Sequence, residues 1–153
     1  MTAPKDRLLM TRLSMPLLVL GLMTLAMTSS PAWAGDPTGM WLSQDGDVKM
    51  KVACCGDAIC STIAWLKNPN DEKAKPKVDL NNADASKRSR PIMGSAIILP
   101  MKADGADKWS GQVYNAEDGK TYGGSFSLSG ANKADLKGCV AIICKTKTWK
   151  RTN

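Results

Sequence analysis

The sequence contains no histidine, and this absence excludes several classes of active site. Without imidazole the chain has no Ser–His or Cys–His nucleophile pair, no histidine general base and no histidine-ligated metal. Carboxylates remain, but Glu117 and Asp118 are adjacent in a turn-like segment, where neighbouring side chains point apart instead of facing one another as an acid–base pair must. We therefore expect a protein that is not an enzyme and that needs no cofactor.

Two kinds of charged site are also missing. No block of like charge and no basic stripe interleaved with aromatic residues occurs, so nucleic acid is not an expected partner. Asp79, Asn81 and Asp84 have part of the spacing of a calcium-binding loop. However, the sixth position is Asp84 where such a loop needs glycine, and the twelfth is Arg90 where it needs glutamate. We expect no calcium site there.

The first 34 residues have the pattern of a secretory signal peptide. Three basic residues precede the apolar run 15–27, and a small-residue segment ending at Ala34 follows it. The apolar run is shorter than the roughly 20 residues that a membrane-spanning helix needs. We expect cleavage after Ala34, a single domain over residues 35–153 with no transmembrane segment, and a periplasmic or secreted location.

The expected mature chain is moderately basic. It would carry 18 Lys and Arg against 13 Asp and Glu, a net charge of +5, because the signal removes three basic residues and one acidic residue. Such a balance can steer a protein towards an anionic envelope component such as lipid or surface polysaccharide. It can equally serve solubility alone, and both interpretations stay open.

Beyond the signal, apolar residues recur with period two and no helical period is present. Val48, Met50 and Val52 alternate with Lys and Ala positions, and Asp-Gly turns separate runs of this kind. In the next alternating run, 59–66, we predict that one face points inward and consists of Ile59, Ser61, Ile63 and Trp65. The clearest hairpin is 109–128, in which two strand-like runs flank the turn 115–119. The pattern predicts an all-β fold, a small antiparallel meander barrel of about eight strands, whose closure removes exposed sheet edges.

Two segments before that hairpin have contrasting character. Residues 67–90 contain prolines, many charges and no apolar period, which predicts a long loop. Loops of this length are usually functional or disordered, so this one is the first place to look for a lid or binding edge. Residues 92–99 are nearly all apolar and end at Pro100, which predicts a strand buried on much of both faces.

All five cysteines fall in the expected mature chain, and two pairs share one spacing, Cys55-x4-Cys60 and Cys139-x4-Cys144. In an exported, oxidising compartment each pair favours a disulfide that clips a hairpin, worth about 2–3 kcal/mol on the chain-entropy model. Two alternatives stay open. Four thiolates could hold zinc or copper, or Cys54 could serve as an attacking thiol in disulfide exchange. Disulfides are the preferred interpretation, with no metal bound.

A series of short motifs runs through the expected mature chain. They are Gly39-x-Trp41, Asp45-Gly46, Cys55 to Cys60, Asp79 with Asn81, Ser89-Arg90-Pro91, Trp109, Tyr114, Asp118-Gly119-Lys120-x-Tyr122, Gly138-Cys139 and Trp149-x-Arg151. In this order and spacing they resemble the bacterial secreted family known as domain of unknown function 2147. The resemblance implies a calycin-like, lipocalin-like β-barrel and implies no activity, because none is assigned to that family. Cys54 beside Cys55 departs from the family pattern and leaves an odd thiol.

The chain also resembles lipocalins at its first and last strands. Lipocalins begin with Gly-x-Trp and place a late arginine over that indole, and Trp41 and Arg151 occupy the matching positions here. A guanidinium stacks well on an indole face while its donors stay in water. The resemblance therefore implies that this pair closes one barrel end and is structural rather than ligand-binding.

Two functions of different classes follow. In the first, the protein is an exported binding module that holds a small hydrophobic ligand inside the barrel, as calycins do. The candidate wall residues are Met50, Val52, Ile63, Trp65, Ile97, Val113, Tyr114 and Phe126. In the second, such side chains fill the barrel themselves, and the protein is an envelope interaction or stress protein acting through its basic surface and the 67–90 loop. A thiol redox or cysteine metal function is a third, less favoured hypothesis.

We predict two disulfides and one free thiol in each exported chain. Alkylation of the denatured, unreduced protein should add one label to the intact mass, and reduction should allow four more. Five labels without reduction would contradict the disulfide interpretation.

Overall fold

The computed structural model describes residues 35–153, and the expected signal peptide lies outside the described residues. Eight antiparallel strands follow one another around a closed barrel, and the last pairs with the first. They are β1 Gly39–Ser43, β2 Val48–Cys55, β3 Ala58–Leu66, β4 Met101–Ala103, β5 Lys108–Asn115, β6 Lys120–Leu128, β7 Lys133–Val140 and β8 Ile143–Thr152. The predicted all-β meander barrel is confirmed. Within the described residues no helix has the length and apolar character to span a membrane.

The side chains that point inward fill the barrel. They form one packed cluster: Trp41, Met50, Val52, Ile59, Ile98, Met101, Trp109, Val113, Phe126, Ala134, Leu136 and Trp149. The rings of Trp41 and Phe126 meet edge to face with centroids 5.6 Å apart, and Trp109 lies 6.2 Å from Phe126. Aromatic pairs of this kind add about 0.5–1.5 kcal/mol beyond the burial of their area. The core of the protein is therefore the interior of its barrel.

The third strand departs from the predicted alternation at a β-bulge. Met50 pairs with Ile63, whereas Lys49 pairs with Trp65, so Ala64 is left over between them. One extra residue moves the side chains beyond it to the other face. Ile63 is accordingly buried, but Trp65 is 40% exposed on the outside, with the ammonium of Lys49 5.7 Å from its ring centroid. The prediction that Trp65 shares the dry face of β3 is wrong.

Residues 92–99 do not form the regular strand that their apolar run predicts. The segment makes only isolated bridges, and its glycine has a φ of +82°, which interrupts the extended backbone. It still crosses the gap between β3 and β5, because Ser61 N–H donates to Ile98 O at 3.0 Å and Tyr114 N–H donates to Ile97 O at 2.8 Å. An irregular segment thus seals the barrel where β4 is only three residues long.

Residues 67–90 form a long loop, as predicted, with a single 3₁₀ turn at Ala85–Lys87. In an up-and-down barrel alternate connections leave from the same end. This loop therefore shares one end with the connections 44–47, 116–119 and 141–142, and we call it the loop end. The opposite end, which carries the C-terminus, is the terminal end.

The two predicted disulfides are present, one at each end of the barrel. Cys55–Cys60 clips the β2–β3 hairpin at the terminal end, and Cys139–Cys144 clips the β7–β8 hairpin at the loop end. The thiolates that a four-cysteine metal site would need are thereby consumed in pairs that lie far apart. Cys54 is exposed and free.

The structure places the guanidinium of Arg151 over the indole of Trp41, 4.3 Å from the ring centroid. The same side chain donates hydrogen bonds to the backbone carbonyl oxygens of Asp36, Thr38 and Ala131. Arg151 therefore ties β8 to the segment before β1 and to the β6–β7 turn. This contact covers the terminal end of the barrel.

We predict that Arg151→Met lowers the free energy of unfolding by about 2–4 kcal/mol, because it leaves three carbonyl groups without their charged donor. Arg151→Lys should lose most of the same stability, since an ammonium lacks the planar fork. Urea denaturation measures both. Lys150→Met, at an exposed neighbour, is the matched control, and an Arg151→Met variant as stable as this control would refute the structural role.

Candidate functional site

A buried carboxylate at the loop end brings the long loop and β5 together. Asp79 of the loop is fully buried, and its Oδ1 accepts a hydrogen bond of 2.6 Å from the phenol of Tyr114. Its Oδ2 accepts from Asn82 Nδ2 at 2.7 Å and from Nε and Nη2 of Arg90 at 3.0 and 2.7 Å. Asn82 Nδ2 also lies 2.8 Å from the Tyr114 oxygen. We call these four residues the Asp79 network.

The loop is folded so that its three members of the network converge. The backbone N–H of Asp79 donates to Arg90 O and the N–H of Asn82 donates to Asp79 O, each at 3.0 Å. Arg88 Nε donates to Asn82 O at 2.8 Å. These bonds close the segment 79–90 on itself, so the buried polar side chains are held by a locally ordered backbone and are hydrogen-bonded, as burial requires.

Hydrogen bonding decides the ionisation of this network. Burial by itself would raise the pKa of Asp79, but the hydrogen bonds from Tyr114, Asn82 and Arg90, together with the charge of Arg90, outweigh it and lower that pKa. Burial, and then the hydrogen bond to the Asp79 carboxylate, raise the pKa of Tyr114. At neutral pH the carboxylate is charged and fully engaged as an acceptor, and the phenol keeps its proton. Neither group is suited to act as a base or nucleophile, and the network instead anchors the loop.

A second contact fixes the loop to the β5–β6 turn. Asn81 Nδ2 donates to Glu117 O at 2.7 Å. Gly119 in this turn has a φ of +70°, and a Cβ added there would lie 1.7 Å from the carbonyl oxygen of Asn81. Only glycine permits so close an approach of the two backbones. The loop therefore rests on the turn as well as on β5.

An open cleft lies beside this contact and has a volume of about 550 Å³. We call it the rim cleft, and it is lined by Ala83, Gly119, Lys120, Thr121, Tyr122, Gly123, Cys139 and Val140. The phenol of Tyr122 donates to Asp118 Oδ2. This hydrogen bond raises the pKa of Tyr122 and is the largest cause of the lowered pKa of Asp118. The cleft thus offers a cationic side chain, a neutral phenol and a small apolar wall.

A second open cleft lies at the terminal end, with a volume of about 580 Å³. Its lining includes Lys133, Lys150 and Arg151, but Arg151 is already engaged with backbone carbonyl groups. Among residues 35–153, no three acidic or cysteine side chains are grouped so that they could hold a metal ion.

The structure separates the eight predicted wall residues into four environments. Met50, Val52, Val113 and Phe126 belong to the packed core, and Ile97 packs against it. Ile63 is buried in β3, Tyr114 turns to Asp79, and Trp65 lies outside the barrel. An interior ligand would have to displace side chains that now contact one another.

From the sequence we assigned no role to Asn82. We considered Asp79 and Arg90 only as part of a calcium-like spacing, which we rejected, and as members of the family motifs. The further signal that all three share is that they are polar residues within a loop of unusual length. That the Asp79 carboxylate meets the Tyr114 phenol, 35 residues away, depends on how the loop docks.

Residues 39–151 match the family described as uncharacterized protein conserved in bacteria, DUF2147. Among proteins with curated descriptions, none is significantly similar to this chain in sequence. The fold is similar to that of a protein from the human pathogen Helicobacter pylori described as belonging to the lipocalin family. That protein is 19% identical, with a TM-score of 0.67, and the alignment covers 78% of this chain and 84% of the other.

We predict that Asp79→Asn destabilises the protein by about 1–3 kcal/mol at pH 7, because Arg90 loses its anionic partner. The folded pKa of Asp79 is lowered, so its charged form stabilises the protein fully above the unfolded value, about 4, and progressively less as the pH falls towards the folded pKa. The difference in unfolding free energy between wild type and Asp79→Asn should therefore become smaller as the pH is lowered from 5. Urea denaturation at a series of pH values measures this difference. Glu72→Gln, an exposed change in the same loop, is the control, and a difference that does not change with pH would contradict the assignment.

Proposed function

The chain belongs to the bacterial family DUF2147, and on this premise we propose that it is an exported, non-enzymatic binding protein whose solid barrel carries its ligand at the loop end. The observation that carries the proposal is the filled interior. The interior contains large side chains that are each less than 2% exposed and that pack together, and the largest of them are Trp41, Trp109 and Phe126. Binding inside would need this packing to open.

The size of the barrel supports a ligand site outside its interior. An eight-stranded barrel is just wide enough for side chains to fill it, and small-molecule sites usually occupy about 300–1,000 Å³. The rim cleft, at about 550 Å³, lies in that range, and the interior is occupied by rings. We therefore place the ligand against Lys120, Tyr122 and Val140 of the rim cleft instead of the predicted wall residues.

The lining of the rim cleft suits a small amphipathic ligand. The ammonium of Lys120 can meet an anionic or polar head, and Val140 with the ring of Tyr122 can contact an apolar portion. The two disulfides favour an oxidising compartment, which agrees with export. The saturated hydrogen bonding of Asp79 supports a structural anchor, and with it a function that is not catalytic.

Two probes separate the interior from the rim cleft. Wild-type protein should bind no benzene in an NMR titration, whereas Phe126→Ala should bind it, because removing the ring leaves a dry apolar cavity. The fluorescent amphipathic anion 1-anilinonaphthalene-8-sulfonate should bind wild type. Gly123→Trp should weaken that binding about tenfold by filling the cleft, since a Cβ at Gly123 meets nothing within 4 Å.

Because Phe126→Ala should destabilise the fold by about 3–5 kcal/mol, Phe126→Leu serves as the milder interior variant. Stoichiometric benzene binding by wild type, or dye binding that Phe126→Leu changes and Gly123→Trp does not, would favour an interior ligand and overturn the proposal.

A further inference from the structure

The β7–β8 hairpin extends beyond the barrel at the loop end. β1 pairs with β8 only from Trp149 onward, and β6 pairs with β7 only as far as Cys139. Among the described residues, the strand pairing of 143–147 in β8 is with β7 alone. The tip of this hairpin, residues 140–143, therefore pairs with neither neighbouring strand, and residues 143–147 of β8 behind it form an open edge. We call residues 137–147 the arm.

The tip of the arm is apolar and exposed. Val140, Ile142 and Ile143 are 58%, 96% and 70% exposed; Val140 and Ile143 are paired on either side of a two-residue turn, and Ile142 lies in that turn. Contiguous exposed aliphatic side chains usually mark an interaction site, whereas single ones need no explanation. No acidic residue follows Asp135 in the sequence, so the charged side chains of the arm itself are all lysines, and the charge of one of them, Lys147, also acts on Asp45 of the neighbouring 44–47 connection.

The flanking charges are exposed lysines behind the tip. Lys137, Lys145 and Lys147 are all exposed on the two strands of the arm. The Cys139–Cys144 disulfide joins these strands immediately behind the tip, so the apolar residues are presented by a rigid hairpin. A preorganised element loses little conformational freedom when it binds.

We propose that the arm docks on the surface of an anionic lipid bilayer, with Ile142 and Ile143 entering the boundary between headgroups and acyl chains and the lysines contacting phosphate groups. A small convex tip with aliphatic side chains and no aromatic anchor is a poor centre for a specific protein interface, which buries about 800 Å² on each partner. A bilayer accepts such a tip without a complementary groove, and basic residues near its surface add attraction.

The arm shares Cys139 and Val140 with the lining of the rim cleft, but the residues changed in the tests of the arm, 142–147, are not part of that lining, so the two proposals can fail separately. Vesicle binding tests the arm, and the benzene and dye titrations test the cleft.

The test is cosedimentation of the exported protein with vesicles of phosphatidylcholine alone or with one quarter phosphatidylglycerol. Binding should require phosphatidylglycerol and weaken as salt is added. Ile142→Ser/Ile143→Ser should reduce affinity about tenfold or more, through lost apolar contact. Lys145→Gln/Lys147→Gln should reduce it about fivefold or more for each lysine at low salt.

The matched control for charge is Lys133→Gln/Lys150→Gln, which makes the same change of net charge in the cleft at the terminal end. It should leave binding nearly unchanged. In Ile142→Trp, the fluorescence of the new indole should shift to the blue on adding anionic vesicles and should be quenched by brominated acyl chains.

Three results would overturn the proposal. The first is equal vesicle binding by wild type and both arm variants, and the second is a loss of binding only in the Lys133→Gln/Lys150→Gln control. The third is that wild type does not bind vesicles and the arm variants instead change its self-association in sedimentation. Unchanged near-ultraviolet circular dichroism of the variants would show that the fold is intact.

Discussion

The structure depends on one constraint, the closure of eight strands into a ring whose interior is no wider than its own side chains. Pairing of β8 with β1 closes the sheet, and the packed rings of Trp41, Trp109 and Phe126 occupy the space that closure creates. Since the interior is consumed by packing, the surfaces left for recognition are the two ends and the outer faces. The loop end holds the long loop, the rim cleft and the arm.

The long loop is held to that end by polar contacts instead of apolar ones. Asp79 is buried, and a carboxylate without partners would be destabilising there, but donors from Tyr114, Asn82 and Arg90 saturate it. The same hydrogen bonds lower the pKa of Asp79, so the network that anchors the loop is also a source of acid sensitivity. A structural role for these groups explains why a cluster of ionisable residues here need not be an active site.

Much of the fold was predictable from local pattern. Period-two alternation in β2, the turn at 115–119 and the cysteine spacing each fix structure over a few residues, and they gave the barrel, its hairpins and both disulfides. Prediction was wrong where one residue changed the register, as at the bulge that moves Trp65 outside. It was also wrong for 92–99, because an apolar run reports burial without saying whether the backbone is regular.

The sequence by itself determined that the protein is all-β, with two clipped hairpins, a long polar loop and no histidine chemistry, because these properties follow from composition and short-range spacing. Only the tertiary structure decided that the interior is filled, that Asp79 meets Tyr114, and that Ile142 stands at the tip of a projecting arm. Those facts depend on strand register and on contacts between residues far apart in the chain. The periodicity of apolar residues carries no information on register or on distant contacts, since it describes each strand without its neighbours.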